Sequence, residues 1–162
     1  MSVGLEEAER QLDRVLGFFA RLDAKASALF AIDAAMLGVL SAKISSHTFQ
    51  HWLLGSSVLA TVLLLGASLA FLYVSGFPHT KGGKGSLIYF NEIASRTEAN
   101  FISETRSTNR EIIFDDVLGQ IWRNSEILQI KFQSLKRAFV TTAIALVPWC
   151  IYLASDAVIV SQ

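Results

Sequence analysis

The chain has 162 residues, of which 52% are hydrophobic and 17% charged, and its mean hydropathy is positive. A soluble domain of this length cannot hide so much apolar surface in one core, so the composition indicates a membrane protein. Fourteen basic residues balance fourteen acidic ones, and a chain without net positive charge lacks the field that holds a nucleic-acid polymer. The single cysteine, Cys150, excludes an intramolecular disulfide and a thiolate metal cluster within one chain.

The first predicted element is a helix that starts among polar residues and continues into an apolar span. Apolar side chains recur at alternating spacings of three and four, which is the pattern of one helix face. This stripe consists of Leu5, Ala8, Leu12, Val15, Phe19, Leu22, Ala26, Leu29 and Asp33. We expect residues 4–25 to form a cytoplasmic helix and residues 26–42 to form the first transmembrane span.

Two uncharged stretches predict the other transmembrane spans. Residues 52–77 carry no charged side chain and exceed the roughly 20 residues that a spanning helix needs. Residues 138–155 are also free of charge, although they are shorter. The connection before the 52–77 stretch is so brief that this helix needs an antiparallel partner, which supports the first span. The predicted fold class is an all-α membrane protein with three transmembrane helices.

The segment 78–137 is predicted to form a cytoplasmic helical hairpin. A glycine-rich turn at 81–86 leads into a helix at about 87–104, and a polar break then leads into a long helix that enters the third span. That long helix has its own stripe: Phe114, Leu118, Ile121, Ser125, Leu128, Phe132, Leu135 and Phe139. We expect helices one and three to extend into a cytoplasmic bundle that the 87–104 helix completes, so that residues 1–162 form one domain.

The distribution of basic residues predicts the topology. Nine of the fourteen Lys and Arg residues lie in segment 78–137, four precede residue 26, one lies between the first two spans, and none follows the third. Basic residues accumulate on the cytoplasmic side of a membrane. We therefore expect a cytoplasmic N-terminus and an external C-terminus.

Asp33 is the most informative ionisable residue because it lies inside a predicted span. A carboxylate there costs about 2.5 kcal/mol or more and needs a partner, water or a proton. We expect Asp33 to face the helix seam, either as a hydrogen-bonded structural residue or as part of a water-filled path. Five hydroxyl side chains are possible neighbours: Ser57, Thr61, Ser68, Thr141 and Thr142.

The sequence contains no catalytic or cofactor-binding pattern. It has no Ser, His and Asp set, no dinucleotide fingerprint and no paired catalytic carboxylates, so we expect neither an enzyme nor a cofactor. His47 and His51 share a helical spacing but have no third ligand, which argues against a metal site. The turn at 81–86 departs from the phosphate-binding loop, although its lysines and the Ser86 cap form a generic anion site.

Three stretches in order resemble the Pycsar transmembrane effector family: residues 22–27 (LDAKAS), residues 87–94 (LIYFNEIA) and residues 119–127 (GQIWRNSEI). Lys131, Phe132 and Leu135 follow the third stretch. The resemblance implies a bacterial antiphage effector in the inner membrane. A partner pyrimidine cyclase would make cyclic UMP or cyclic CMP on infection, and the effector would sense it and break membrane integrity, causing growth arrest or cell death.

A cyclic nucleotide has a phosphate, a sugar and a base, and the cytoplasmic segment carries side chains suited to each. Cations can meet the phosphate, amides can read a base edge, and aromatic rings can stack. The ligand-binding candidates are Tyr89, Phe90, Gln120, Arg123, Asn124, Lys131 and Lys25. The alternative is structural: the amides would form interhelical hydrogen bonds, and Asp23 would form a charge network with Lys25 or Lys131.

Two other functions fit the same sequence. A membrane scaffold or accessory subunit would anchor another protein and never permeabilise the bilayer, whereas a constitutive small ion channel would leak without ligand. The effector interpretation predicts a lipid-embedded homo-oligomer that stays silent until the nucleotide arrives.

Overall fold

The computed structural model describes residues 4–77 and 83–160, and within these ranges the chain forms helices and no strand. The elements are α1 (Leu5–Lys43), a short 3-10 helix (Ser46–Phe49), α2 (Trp52–Gly76), α3 (Phe90–Ala94), α4 (Glu98–Ser107) and α5 (Arg110–Val160). Helices α1, α2 and α5 are long and apolar enough to cross a membrane. The predicted fold class, all-α with three apolar spanning helices, is confirmed.

The chain divides into two compact units, and α1 and α5 contribute to both. The polar unit takes Met1–Arg21 and Pro78–Ile130, and the span unit takes Leu22–Phe77 and Lys131–Gln162. Both long helices are unbroken, as the stripes predicted; α5 even continues through Pro148, whose missing N–H removes one helical hydrogen bond.

Helix α2 in the span unit alternates large and small buried side chains. Its buried line contains Leu54, Val58, Thr61, Leu65, Ser68, Leu72 and Ser75. Thr61, Ser68 and Ser75 recur every seven residues, so a small hydroxyl side chain alternates with a larger apolar one along the seam. Small residues let helices approach closely, and their hydroxyl groups can bond across the interface. The line therefore gives α2 both its packing surface and its polar contacts.

The polar unit has a small core of its own. Ala8 and Leu12 on α1 pack with Val117 on α5, and Leu5, Ile88, Phe114 and Ile121 are partly buried against them. Burying these side chains contributes about 25 cal/mol for each Å² of apolar surface removed from water. The core holds α1, the turn before α3 and the start of α5 together.

One predicted helix is two in the structure. The expected helix at 87–104 divides into α3 and α4, with a break at residues 95–97. The Thr97 side chain accepts a hydrogen bond from Asn100 N–H at 3.3 Å and so begins a new helix. Arg96 Nη1 donates to Glu92 O at 2.9 Å and closes the preceding one. These local side-chain bonds compete with a continuous helix, which apolar spacing alone does not show.

The stripe predicted for α1 is correct, because all nine of its residues are buried or half-buried. The stripe predicted for α5 is wrong in part: Leu118, Phe132 and Phe139 are 39%, 58% and 50% exposed. The buried line of α5 carries Val117, Gln120, Lys131, Leu135, Ala138 and Thr142. Polar residues occupy this line because they have partners there.

Candidate functional site

The predicted ligand residues fall in both units. Tyr89, Phe90, Gln120, Arg123 and Asn124 belong to the polar unit, and Lys25 and Lys131 belong to the span unit. Gln120, through Ser86, and Arg123, against Gly83, contact the turn that precedes α3. Tyr89 and Phe90 lie at the start of α3, and the hydrogen bond of Asn124 stays within α5.

Ser86 is buried, and its hydroxyl is the centre of a hydrogen-bond network between the turn and α5. The oxygen accepts bonds from the backbone N–H groups of Ile88 and Tyr89, at 3.2 and 2.9 Å, and from Gln120 Nε2 at 3.1 Å. The hydroxyl donates to Asp116 Oδ2 at 2.9 Å. The sequence predicted Ser86 as the cap of a helix that starts at about residue 87, but α3 begins at Phe90 and its N-cap is Tyr89. Ser86 instead lies in the preceding turn, where it bonds to Asp116 and Gln120 of α5.

Asp116 supplies the negative charge that this turn binds. Its Oδ2 also accepts from Leu87 N–H at 2.9 Å, so a backbone donor and the Ser86 hydroxyl converge on one carboxylate oxygen. The generic anion site expected at the turn is thus filled by a carboxylate of the same chain. Lys81 and Gly82, which belong to that prediction, lie outside the described residues.

Arg123 stands beside Asp116, with 3.9 Å between Nη2 and Asp116 Oδ1. Its guanidinium packs over two glycines: a Cβ on Gly83 would lie 2.5 Å from Nη2, and one on Gly119 would lie 3.1 Å from it. The Nε atom is buried and has no hydrogen-bond partner among the described residues. A buried donor without an acceptor costs roughly 1–3 kcal/mol, so the described residues leave the hydrogen bonding of Arg123 incomplete.

The remaining candidates of the polar unit differ in exposure and in hydrogen bonding. Phe90 is 69% exposed, and its ring meets Tyr89 edge-on with 5.0 Å between centroids. Asn124 Nδ2 donates to Gln120 O on the same helix, at 2.8 Å. The Asn124 carbonyl and the Phe90 ring face are therefore the groups with the most capacity for a new contact.

A pocket of about 330 Å³ opens next to this network, a volume within the range of small-molecule sites. Its walls combine Lys84, the hydroxyl residues Ser107 and Thr108, and the apolar Ile112 and Ile113. Ser86 and Asp116 also line it, and Asp116 is the residue that pairs with Arg123. The five predicted ligand residues of the polar unit are not among its lining residues: Tyr89, Phe90, Gln120, Arg123 and Asn124.

Arg96 is a residue that sequence reasoning missed. Its Nη1 donates to Ser86 O and to Glu92 O, both at 2.9 Å, and its Nε pairs with Glu104 Oε2 at 2.9 Å. One side chain thus links the turn, α3 and α4 through hydrogen bonds. Asp116 was missed as well, because it lies outside the predicted apolar stripe of α5 and its partners are distant in the sequence.

In the span unit, Lys131 is buried and pairs with Asp23, with 2.6 Å between Nζ and Oδ1. Ser75 Oγ contacts Lys131 O at 3.4 Å. Lys25 is exposed on α1. The Asp23–Lys131 pair matches the charge network weighed for these residues, so a structural role for Lys131 has direct support. Within the described residues, no group of three His, Cys, Asp or Glu side chains could hold a metal ion.

Asp33 lies in a polar cluster that joins all three long helices. Ser68 Oγ donates to Asp33 Oδ2 at 2.6 Å, and Thr142 Oγ1 donates to Oδ1 at 2.8 Å. The two hydroxyl groups are also 2.9 Å apart. Asp33 and Ser68 are fully buried, and Thr142 nearly so. Two of the five hydroxyl residues expected near Asp33 are its partners, and the carboxyl group links α1 to α2 and α5.

Comparison with known proteins gives a family match over most of the chain. The Pycsar effector protein domain matches residues 7–155, a range that includes α2, α3, α4 and most of α1 and α5. Neither a search of curated proteins nor a search of solved structures found a match. The long apolar helices, the resembling stretches and this match agree that the chain is a membrane protein of the Pycsar effector family, an antiphage defence effector.

Proposed function

We propose that this effector senses a cyclic pyrimidine mononucleotide, made by a partner cyclase during infection, and then disrupts the bacterial inner membrane. The polar unit is the sensor and the span unit acts on the bilayer. The observation that carries the sensing half is Arg123, whose buried Nε lacks an acceptor among the described residues and whose ion-pair partner, Asp116, lines a pocket of ligand size. A cyclic nucleotide offers a phosphate to such a donor.

The ligand phosphate binds Arg123 and Lys84 in this proposal. Guanidinium groups form strong, charge-assisted hydrogen bonds with phosphate oxygens. Gln120 and Asn124 read the base edge, and Tyr89 or Phe90 stacks on the base. Lys25 and Lys131 stay predictions from the sequence.

Asp116 takes the place of the ligand in the resting state. Its carboxylate accepts from the Ser86 hydroxyl and the Leu87 N–H, donors that also suit a phosphate oxygen. A bound phosphate repels this carboxylate and competes for Arg123. Ligand binding therefore loosens the link between the turn and α5, and α5 continues into the span unit.

Binding of a nucleotide panel to the purified protein tests the sensing half. We expect cyclic UMP or cyclic CMP to raise the melting temperature, with no effect of cyclic AMP or cyclic GMP. Arg123→Gln should weaken binding by about tenfold to a hundredfold, since a hydrogen bond to a charged group is lost. Asp116→Asn should tighten binding because it removes the competing charge.

The matched control is Arg106→Gln, which removes an exposed arginine on α4 of the same unit. It should bind the nucleotide as the parent chain does. Equal binding by Arg123→Gln and the parent would refute the site, and equal responses to all four nucleotides would refute pyrimidine sensing.

The membrane half of the proposal requires several copies of the chain. Within the described part of the span unit, the seam between helices is filled by buried side chains such as Leu65, Ala145 and the Asp33 cluster. One packed three-helix unit gives no wide path, so homo-oligomers open the membrane after their spans repack. The N-terminus and segment 78–137 face the cytoplasm, where the cyclase product is made, and the C-terminus faces out.

A further inference from the structure

A groove on the span unit lies between α2 and α5 and has no part in the proposed nucleotide site. It has a volume of about 520 Å³. Its lining residues are Phe71, Gln133, Lys136, Arg137, Val140 and Thr141. Lys136 and Arg137 immediately precede the uncharged stretch of α5, so the groove lies where the charged part of this helix meets the part that is apolar enough for lipid.

The wall of the groove is apolar. Phe71 and Val140 contribute a ring and a branched aliphatic side chain. The Thr141 hydroxyl donates within its own helix, to Ala138 O at 2.9 Å and Arg137 O at 3.0 Å. Its donor is therefore satisfied without a ligand. Such a surface suits a hydrocarbon chain better than a water-soluble anion.

The groove carries two positive charges, on Lys136 and Arg137, that no carboxylate of the described residues neutralises. Lys43 and Lys131 of the same unit each pair with an aspartate. Lys136 and Arg137 form no salt bridge with any carboxylate in residues 4–77 and 83–160. The Arg137 guanidinium instead lies 5.9 Å from the centroid of the Phe71 ring, at the edge of the apolar wall.

We propose that this groove binds one anionic phospholipid. The lipid phosphate contacts Lys136 and Arg137, and an acyl chain lies along Phe71 and Val140. Basic pockets between membrane helices select anionic headgroups, and the apolar wall adds the requirement for a chain. The lipid spans the α2–α5 contact beside Thr142, so its binding favours the packed arrangement in which Thr142 reaches Asp33.

Native mass spectrometry of the full chain in detergent tests the site with dioleoyl phosphatidylglycerol and dioleoyl phosphatidylcholine. We expect one phosphatidylglycerol to be retained and phosphatidylcholine to be lost. The double variant Lys136→Gln with Arg137→Gln should retain phosphatidylglycerol roughly thirtyfold less, from the usual contribution of two basic residues near anionic lipid. Phosphatidylglycerol should raise the melting temperature of the parent and not of this variant.

Two further variants separate a shaped groove from a charged surface. Val140→Trp fills the groove while both cations remain, and it should also lose the lipid. The double variant Arg14→Gln with Arg21→Gln removes two positive charges from exposed positions on α1 and should retain the lipid like the parent. Full retention by Val140→Trp, equal retention of both lipids, or an equal loss in the α1 variant would each overturn the proposal.

Discussion

Buried polar side chains in the span unit differ in whether they have partners. The Asp33 carboxyl has two hydroxyl donors, whereas the Tyr152 hydroxyl is fully buried and has no hydrogen-bond partner among the described residues. Tyr152 packs in an apolar cluster with Leu40, Leu54 and Val58. An unpaired hydroxyl in such surroundings costs free energy. Tyr152 therefore destabilises the packing of the span helices, which the hydrogen bonds of Asp33 stabilise.

We therefore expect Tyr152→Phe to stabilise the protein. The substitution removes the unpaired hydroxyl and keeps the ring, so the free energy of unfolding should rise by about 1 kcal/mol. Thermal unfolding in detergent measures the change. Tyr73→Phe is the control, because Tyr73 is 68% exposed and should change little. A lower melting temperature for Tyr152→Phe would show that the hydroxyl has a partner.

At the residue scale, the sequence predicted the polar neighbours of Asp33 better than those of Arg123. Ser68 and Thr142 lie in uncharged stretches, where a hydroxyl near a carboxylate stands out against apolar neighbours. The environment of Arg123 depends on Gly83, Asp116 and Ser86, which lie far apart along the chain. No periodic pattern connects them, so only the folded structure shows that they meet.

The Arg123 guanidinium of α5 packs closely against Gly83 of the turn. A methyl group on Gly83 would lie 2.5–2.8 Å from the three terminal atoms of the Arg123 guanidinium. The atoms that must move belong to the end of a flexible side chain, so the fold should survive while the position of the guanidinium changes.

Gly83→Ala should therefore keep the fold and weaken the response to the nucleotide. We expect its melting temperature to stay within about 3 °C of the parent and its response to the nucleotide to fall. Gly17→Ala is the control, because a Cβ there meets nothing within 4 Å. If Gly83→Ala binds the nucleotide as tightly as the parent, the placement of Arg123 over this glycine is irrelevant to binding.

The helices themselves follow from the sequence to different degrees. The α1 stripe is apolar except at Asp33, and hydrophobic periodicity locates its buried face correctly. On α5, periodicity selects a stripe in which exposed residues such as Leu118 and Phe132 alternate with buried or half-buried ones. The buried face contains Gln120 and Lys131, whose partners Ser86 and Asp23 compensate for their burial. Pattern reading counts polar residues as outward-facing, so it misses a face stabilised by distant partners.

At the scale of the whole molecule, α1 and α5 connect the two proposed activities. Each helix is continuous and contributes residues to both units. In the proposed mechanism, a change in the packing of α5 at Asp116 is passed along this helix to its apolar part. Such a change would affect the hydrogen bonds of the Asp33 cluster, because one carboxyl group joins α1, α2 and α5 there.

In the proposed function, a cyclic pyrimidine nucleotide converts an intact bilayer into a leaking one through this protein. The most direct measurement is dye release from liposomes that contain the purified chain, with nucleotide present on both sides. We expect release to rise with cyclic UMP or cyclic CMP, to stay at background with cyclic AMP, and to be lost in Arg123→Gln. Asp33→Leu should alter release because it breaks the bonds to Ser68 and Thr142. Release without any nucleotide would indicate a constitutive channel, and no release with a nucleotide that binds would indicate a scaffold; either result would contradict the account.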